Sequence, residues 1–199
     1  DTPSFLHLIE NGLNDPDHPD QGGWGGRYEH YTPRIRDFYF QPETRPFWTN
    51  VRDEVYSQID ERYHTRIQAT IWRWREAYQN DFAARMDWCT KSYEEANHPP
   101  HVNTGLADTL QVHSEEQVEL KASGSSDPDG DNLSHHWIYY REAGNSVYFL
   151  DMKGENTQHL SFQAPKVNET NYMHFVLEIT DNGNPPLTRY DRVVVKVVE

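Results

Sequence analysis

The chain has 199 residues, 35% of them hydrophobic and 13% aromatic, enough for one large or two small packed domains and too much for a disordered tract. Its 18 Lys and Arg against 32 Asp and Glu leave a net charge of -14, which disfavours nucleic-acid polymers and anionic lipid surfaces as partners. No apolar run is long enough for membrane insertion, the eleven histidines lack zinc-site spacing, and there is neither a phosphate loop nor a nucleophile-elbow serine.

In chain order, residues 2–11 predict a helix: Thr2 caps it, Pro3 fits the first helical position, Gly12 ends it, and Phe5, Leu8 and Ile9 share a face. Residues 14–46 are rich in Asp, Gly and Pro without a sustained period, which predicts a long irregular excursion. Its aromatics, among them Trp24, Tyr28, Tyr31, Phe38, Tyr39 and Phe40, argue that the excursion is ordered. Asn50 and Asp53 have capping-box spacing, and Val51, Val55, Ile59 and Tyr63 recur every four residues, predicting a second helix to about Tyr63. Trp72, Arg73, Trp74 and Arg75 read as scaffold, with cation–π stacking or salt bridges accounting for the arginines.

A third helix is predicted from about Glu76 to Ala96, with Phe82, Met86, Cys89 and Tyr93 on one face and Asp81, Arg85 and Trp88 on another. Asn80 and Asp81 fall near its start, where short polar side chains cap well. Cys89, the single cysteine, excludes an internal disulfide and fits a small buried hydrophobe better than a reactive thiol. His98-Pro99-Pro100-His101 marks a boundary, because paired prolines stop a helix and stiffen a linker.

Beyond it the period changes to two, at Val118 and Leu120, Leu133 to Tyr139, Leu160 to Ala164, Phe175 to Ile179 and Val193 to Val197. Short strands separated by turn clusters predict an immunoglobulin-like sandwich with Trp137 between its sheets. The Val-rich stretch Val193 to Val198 is also a candidate for adding to a partner's sheet edge in an assembly module.

Two groups of residues carry candidate chemistry. In Gly22-Gly23-Trp24-Gly25-Gly26-Arg27-Tyr28-Glu29, four glycines allow close approach, and Trp24 is either a plug for a neighbouring cleft or a stacking platform. As a substrate site, Trp24 and Tyr28 would stack on sugar faces while Arg27 and Glu29 bond hydroxyls; the alternative has Trp24 packed inward and Arg27 paired with an acid. In Ser126-Asp127-Pro128-Asp129-Gly130-Asp131-Asn132 the spacing rules out an EF-hand, since its glycine falls too early and Ile138 stands where an acid is needed. Asp127, Asp129 and Asp131 lie at the same end of a sandwich as Asp181 and are candidates to share a calcium ion, a plain Asp-Gly turn being the alternative.

The glycine loop, Thr70-Ile71-Trp72-Arg73-Trp74-Arg75 and Asn80 to Trp88 together resemble the cellulose-binding, nucleoside-hydrolase-like family of polysaccharide-degrading bacteria, over residues 1–98. The remainder of the chain resembles that family's terminal β-sandwich, and the Asp-Gly turn resembles the one before strand C of polycystic-kidney-disease-type (PKD) or cadherin-like modules. The resemblance implies an α+β multidomain chain: residues 1–98 the C-terminal helical portion of a hydrolase-like α/β domain, 99–102 a Pro-rich linker, and 103–199 an all-β sandwich. It implies a secreted or periplasmic protein acting on or binding a polysaccharide or glycoside, either by calcium-dependent glycosidic hydrolysis or as a non-catalytic binder. Asp1, followed by Thr2-Pro3, resembles a late calcium ligand, while the early Asp cluster and the catalytic base of the family would lie in a missing N-terminal portion.

Overall fold

The computed structural model describes residues 3–32 and 45–199, so Asp1, Thr2, Phe38, Tyr39 and Phe40 lie outside the described residues. The chain divides into two compact units: Asp1–Ile9 with Asn14–Arg75, and Glu10–Leu13 with Glu76–Glu199.

The first unit is more strand-like than the sequence predicts. Its opening segment is a 3-10 helix over Pro3–Leu8, shorter than the predicted helix, and it buries His7 while Phe5 and Leu8 face solvent. The excursion contains a short strand, β1 (Tyr28–Tyr31), which pairs antiparallel with β2 (Phe47–Asn50) just beyond it. The predicted helix from Asn50 to Tyr63 is instead a hairpin of β3 (Asp53–Ser57) and β4 (Arg62–Arg66). The four-residue spacing of Val51, Val55, Ile59 and Tyr63 is also a multiple of two, and these are good strand formers. Asp53, Val55 and Ser57 therefore take one face with His64, and Tyr56 packs against Tyr63 across the other, ring centroids 5.2 Å apart. Glu61, in the left-handed region at φ 54°, closes the turn. A single-turn helix α1 (Ala69–Trp72) completes the unit, with Trp74 buried just beyond it.

Beyond Glu10–Leu13, the second unit continues with α2 (Arg75–Trp88), all but its first residue, and the helix ends well before Ala96. Ser92 starts a new 3-10 turn instead: its N–H and hydroxyl both donate to Glu95 Oε2, at 3.2 and 3.1 Å, which caps the turn and breaks the helical run. Asp81 is thus mid-helix rather than a cap. It is buried and held by Arg85 at 2.6 Å and Arg189 at 3.0 Å. Cys89 is exposed, a correction to the buried site predicted for it, because the α2 face carrying Phe82 and Met86 is itself exposed.

The remainder is a two-sheet sandwich. One sheet runs β5 (Thr109–His113), β10 (Thr188–Val198), β9 (Asn171–Thr180), β7 (Ser134–Tyr139), with β5 parallel to β10 and the other pairs antiparallel. The second pairs β6 (Gln117–Lys121) with β8 (His159–Gln163). Alternate residues of both meet in one core that includes Val118, Leu120, Trp137, Phe162, Phe175 and Val195. Trp137 lies between the sheets as the sequence predicts, its indole N–H donating to Thr157 O at 3.1 Å. β10 is an interior strand bonded on both sides, by β5 and β9, so Val193 to Val198 offer no free edge to a partner.

Candidate functional site

In the first unit the glycines of Gly22 to Gly26 make a tight turn closed by reciprocal Gly23–Gly26 backbone bonds at 3.2 and 2.9 Å. Gly26 has φ 101°, and a Cβ at Gly25 would run into the His7 ring, whose Nε2 lies 3.1 Å from Gly26 O. The close neighbour that the glycines admit is therefore the protein itself. Trp24 is 0% exposed, with its backbone N–H bonded to Asn14 Oδ1 at 2.8 Å. Tyr28 is buried with its hydroxyl on Gly25 O, and Arg27 lies 2.8 Å from the fully buried Asp53, which Arg73 approaches at 3.6 Å. Arg73 also lies over the Trp74 ring. Trp24 thus has no face open to a sugar, and of the four residues in the predicted substrate group Glu29 alone is exposed. The packed alternative for this loop is the arrangement found.

In the second unit the Asp-Gly turn is built around Asp127. Its Oδ1 accepts the N–H groups of Asp129 and Asp131 at 2.9 and 3.1 Å, and Gly130 takes φ 82° to close it. Asp129 turns to His98, accepting its backbone N–H at 2.7 Å and facing its ring nitrogen at 3.1 Å. His98 is stacked on Tyr93, ring centroids 3.8 Å apart. Asp181 is 4% exposed, and its Oδ1 accepts from Gly183 N, Leu187 N and Asn97 Nδ2 at 3.0, 2.9 and 3.1 Å. Burial pushes the Asp181 carboxyl above the usual carboxylate range, its hydrogen bonds oppose the shift, and the Asp127 charge adds to it.

The remaining oxygens of both carboxylates, Asp127 Oδ2 and Asp181 Oδ2, are buried without a hydrogen-bond partner among the described residues. Two neighbouring carboxylates, each with an orphaned oxygen, are chemically suited to a hard cation. The fit is partial, since Asp129 is committed to His98, and no group of three or more His, Cys, Asp or Glu side chains among the described residues is placed to hold a metal. Nothing in the sequence marks Asn97 as a partner of Asp181. The only trace is Gly183, where a side chain would strike the Asn97 amide.

A two-sheet sandwich with a parallel first-to-last strand pair and an Asp-Gly turn before β7 defines an immunoglobulin-like module. Residues 117–197 match the family model described as the C-terminal domain of cellulose-binding protein Sde0182, and residues 1–28 match the nucleoside hydrolase-like domain of cellulose-binding Sde182. The chain belongs to this cellulose-binding, nucleoside-hydrolase-like family, carrying part of its hydrolase-like domain and its C-terminal sandwich.

Among solved structures it is similar to a nucleoside hydrolase-related protein of Saccharophagus degradans associated with carbohydrate metabolism, at 34% identity and a TM-score of 0.75. That match covers 100% of this chain and 47% of the other, so the chain spans about half the relative's length. The PKD domain of the KIAA 1837 protein matches at 18% identity and a TM-score of 0.35, covering 48% of this chain and 85% of that one. The first immunoglobulin domain of Dpr1, from its complex with DIP-eta, matches at 17% identity and a TM-score of 0.30, covering 51% and 98%. No curated protein matches.

Proposed function

We propose that this chain is the polysaccharide-binding part of a larger nucleoside-hydrolase-related protein that works outside the cytoplasm, secreted or periplasmic, where insoluble glycans are met. The observation that carries this is the match of residues 117–197 to the C-terminal domain of a cellulose-binding family. Residues 1–98 then belong to the hydrolase-like domain, 99–102 to the linker and 103–199 to the sandwich. The rest of the hydrolase-like domain covers apolar side chains left bare here, such as Phe82 and Met86 on α2, which are 64% and 50% exposed. Glycosidic hydrolysis, if the larger protein performs it, uses aspartates outside this chain, with Asp1 as an added calcium ligand. The burial of Trp24 favours a binding role for this portion over a substrate-cleft role. Co-sedimentation with insoluble cellulose tests the proposal: retention of the chain supports it, and recovery of all the protein in the supernatant contradicts it.

Calcium enters the same proposal through Asp127 and Asp181, supported by their two orphaned oxygens. An ion held there would tie the turn before β7 to the loop after β9 and stabilise the sandwich rather than act on a bond. Calcium then raises the melting temperature by about 2–4 °C for each kcal/mol of linkage, and Asp127→Asn removes the effect. Equal melting temperatures in calcium and in chelator would contradict it.

A further inference from the structure

The solvent side of the β6–β8 sheet carries a feature that neither the glycine loop nor the Asp-Gly turn accounts for. A cleft of about 410 Å³ lies there, walled on one side by the segment Phe149–Lys153 and on the other by Glu115 and Gln117. Lys153 exchanges two backbone bonds with Ser161, each 2.9 Å, which fixes that segment along the outer edge of β8. A second hollow of about 330 Å³ continues along the same strands over Glu119, Lys121 and His159, and Ser161 lines both. Together they follow the cross-strand pairs Gln117–Gln163, Glu119–Ser161 and Lys121–His159. A five-residue strand is about 17 Å long, so the track suits an extended chain better than a compact ligand.

The lining chemistry selects among extended chains. Phe149 is 86% exposed, with the Arg141 guanidinium 4.2 Å from its ring centroid. An aromatic this exposed leaves most of its surface available for stacking, beside the Arg141 contact. Around it, Glu115, Gln117, Asp151, Lys153 and Lys166 have side-chain polar ends that make no hydrogen bond among the described residues. The two acids and two lysines cancel in charge, so the cleft does not select an ion. It offers donors and acceptors to a neutral ligand rich in hydroxyls, and a ring face to its C–H surface.

We propose that this track on the outer face of β6 and β8 is the sugar-binding site of the sandwich and takes a neutral, extended β-glucan chain, with Phe149 as its stacking platform. The proposal rests on the polysaccharide-binding reading above but assigns it to a surface of the second unit rather than to the glycine loop of the first. The test is affinity electrophoresis of the full chain in gels containing hydroxyethyl cellulose, comparing wild type, Phe149→Ala and Gln117→Ala, with circular dichroism melts as the folding control. The expected result is retardation of the wild type, weakened about tenfold in apparent affinity by Phe149→Ala and less by Gln117→Ala, at unchanged melting temperature. Wild-type retardation that survives both substitutions would overturn the site while leaving glucan binding intact. An unretarded wild type would overturn the site and the binding reading together.

Discussion

At the scale of single residues, burial decides what the conspicuous groups do. Trp24 draws attention because four glycines surround it, yet those glycines serve the close packing of His7 and Asn14 around the turn, and the indole is interior. Trp24→Ala is therefore expected to lower stability by about 3–5 kcal/mol, as for other buried aromatics, in a chemical denaturation curve. A variant that stays fully stable and loses only cellulose retention would contradict this. His174 sits beside Arg192, and burial first, then that positive charge, hold its pKa down at about 4 from an ordinary 6.5. In that window the unfolded chain binds a proton that the folded one refuses, so stability falls as pH drops from 6.5 towards 4, by about 3 kcal/mol at most. His174→Gln should flatten that part of the stability profile, and an unchanged slope would exclude His174 as its source. Little of this was legible in the sequence, because a histidine or a tryptophan looks alike inside and outside.

At the scale of elements, the sandwich strands were legible and the first unit was not. Strict alternation through Leu160 to Ala164 and Phe175 to Ile179 fixes which side chains face the core, and β8 and β9 follow it. The β3–β4 hairpin was hidden because a spacing of four satisfies both periods, and the distinguishing fact is the pairing of Val55 with His64 across the turn, which periodicity does not report. The apolar stripe predicted for α2 is real, but sequence does not say whether something covers it. Phe82 and Met86 point to solvent here, while the relative extends over twice the length. In this chain, Phe82→Lys with Met86→Lys should change the melting temperature little, as exposed substitutions do, staying within about 0.5 kcal/mol each. In a protein that includes the remaining hydrolase-like domain the same pair should destabilise clearly, and equal behaviour in both would contradict the assignment of that face.

At the scale of the whole molecule, the kinship to the cellulose-binding, nucleoside-hydrolase-like family was legible because three short segments carry it, and the sandwich because the period changes to two. The cleft proposed above for a glucan was not, since the β6–β8 surface is made of ordinary alternating polar residues whose convergence with Phe149 depends on the intervening loop. A net charge of -14 is compatible with glycan binding, because a neutral glycan is indifferent to it while anionic polymers are repelled. Whether the chain binds cellulose at all is read from a depletion isotherm of the purified protein on microcrystalline cellulose, at two salt concentrations. Saturable binding that is insensitive to salt is the predicted result, as expected for stacking and hydroxyl contacts. No depletion at any cellulose load, or depletion that vanishes with added salt, would contradict it.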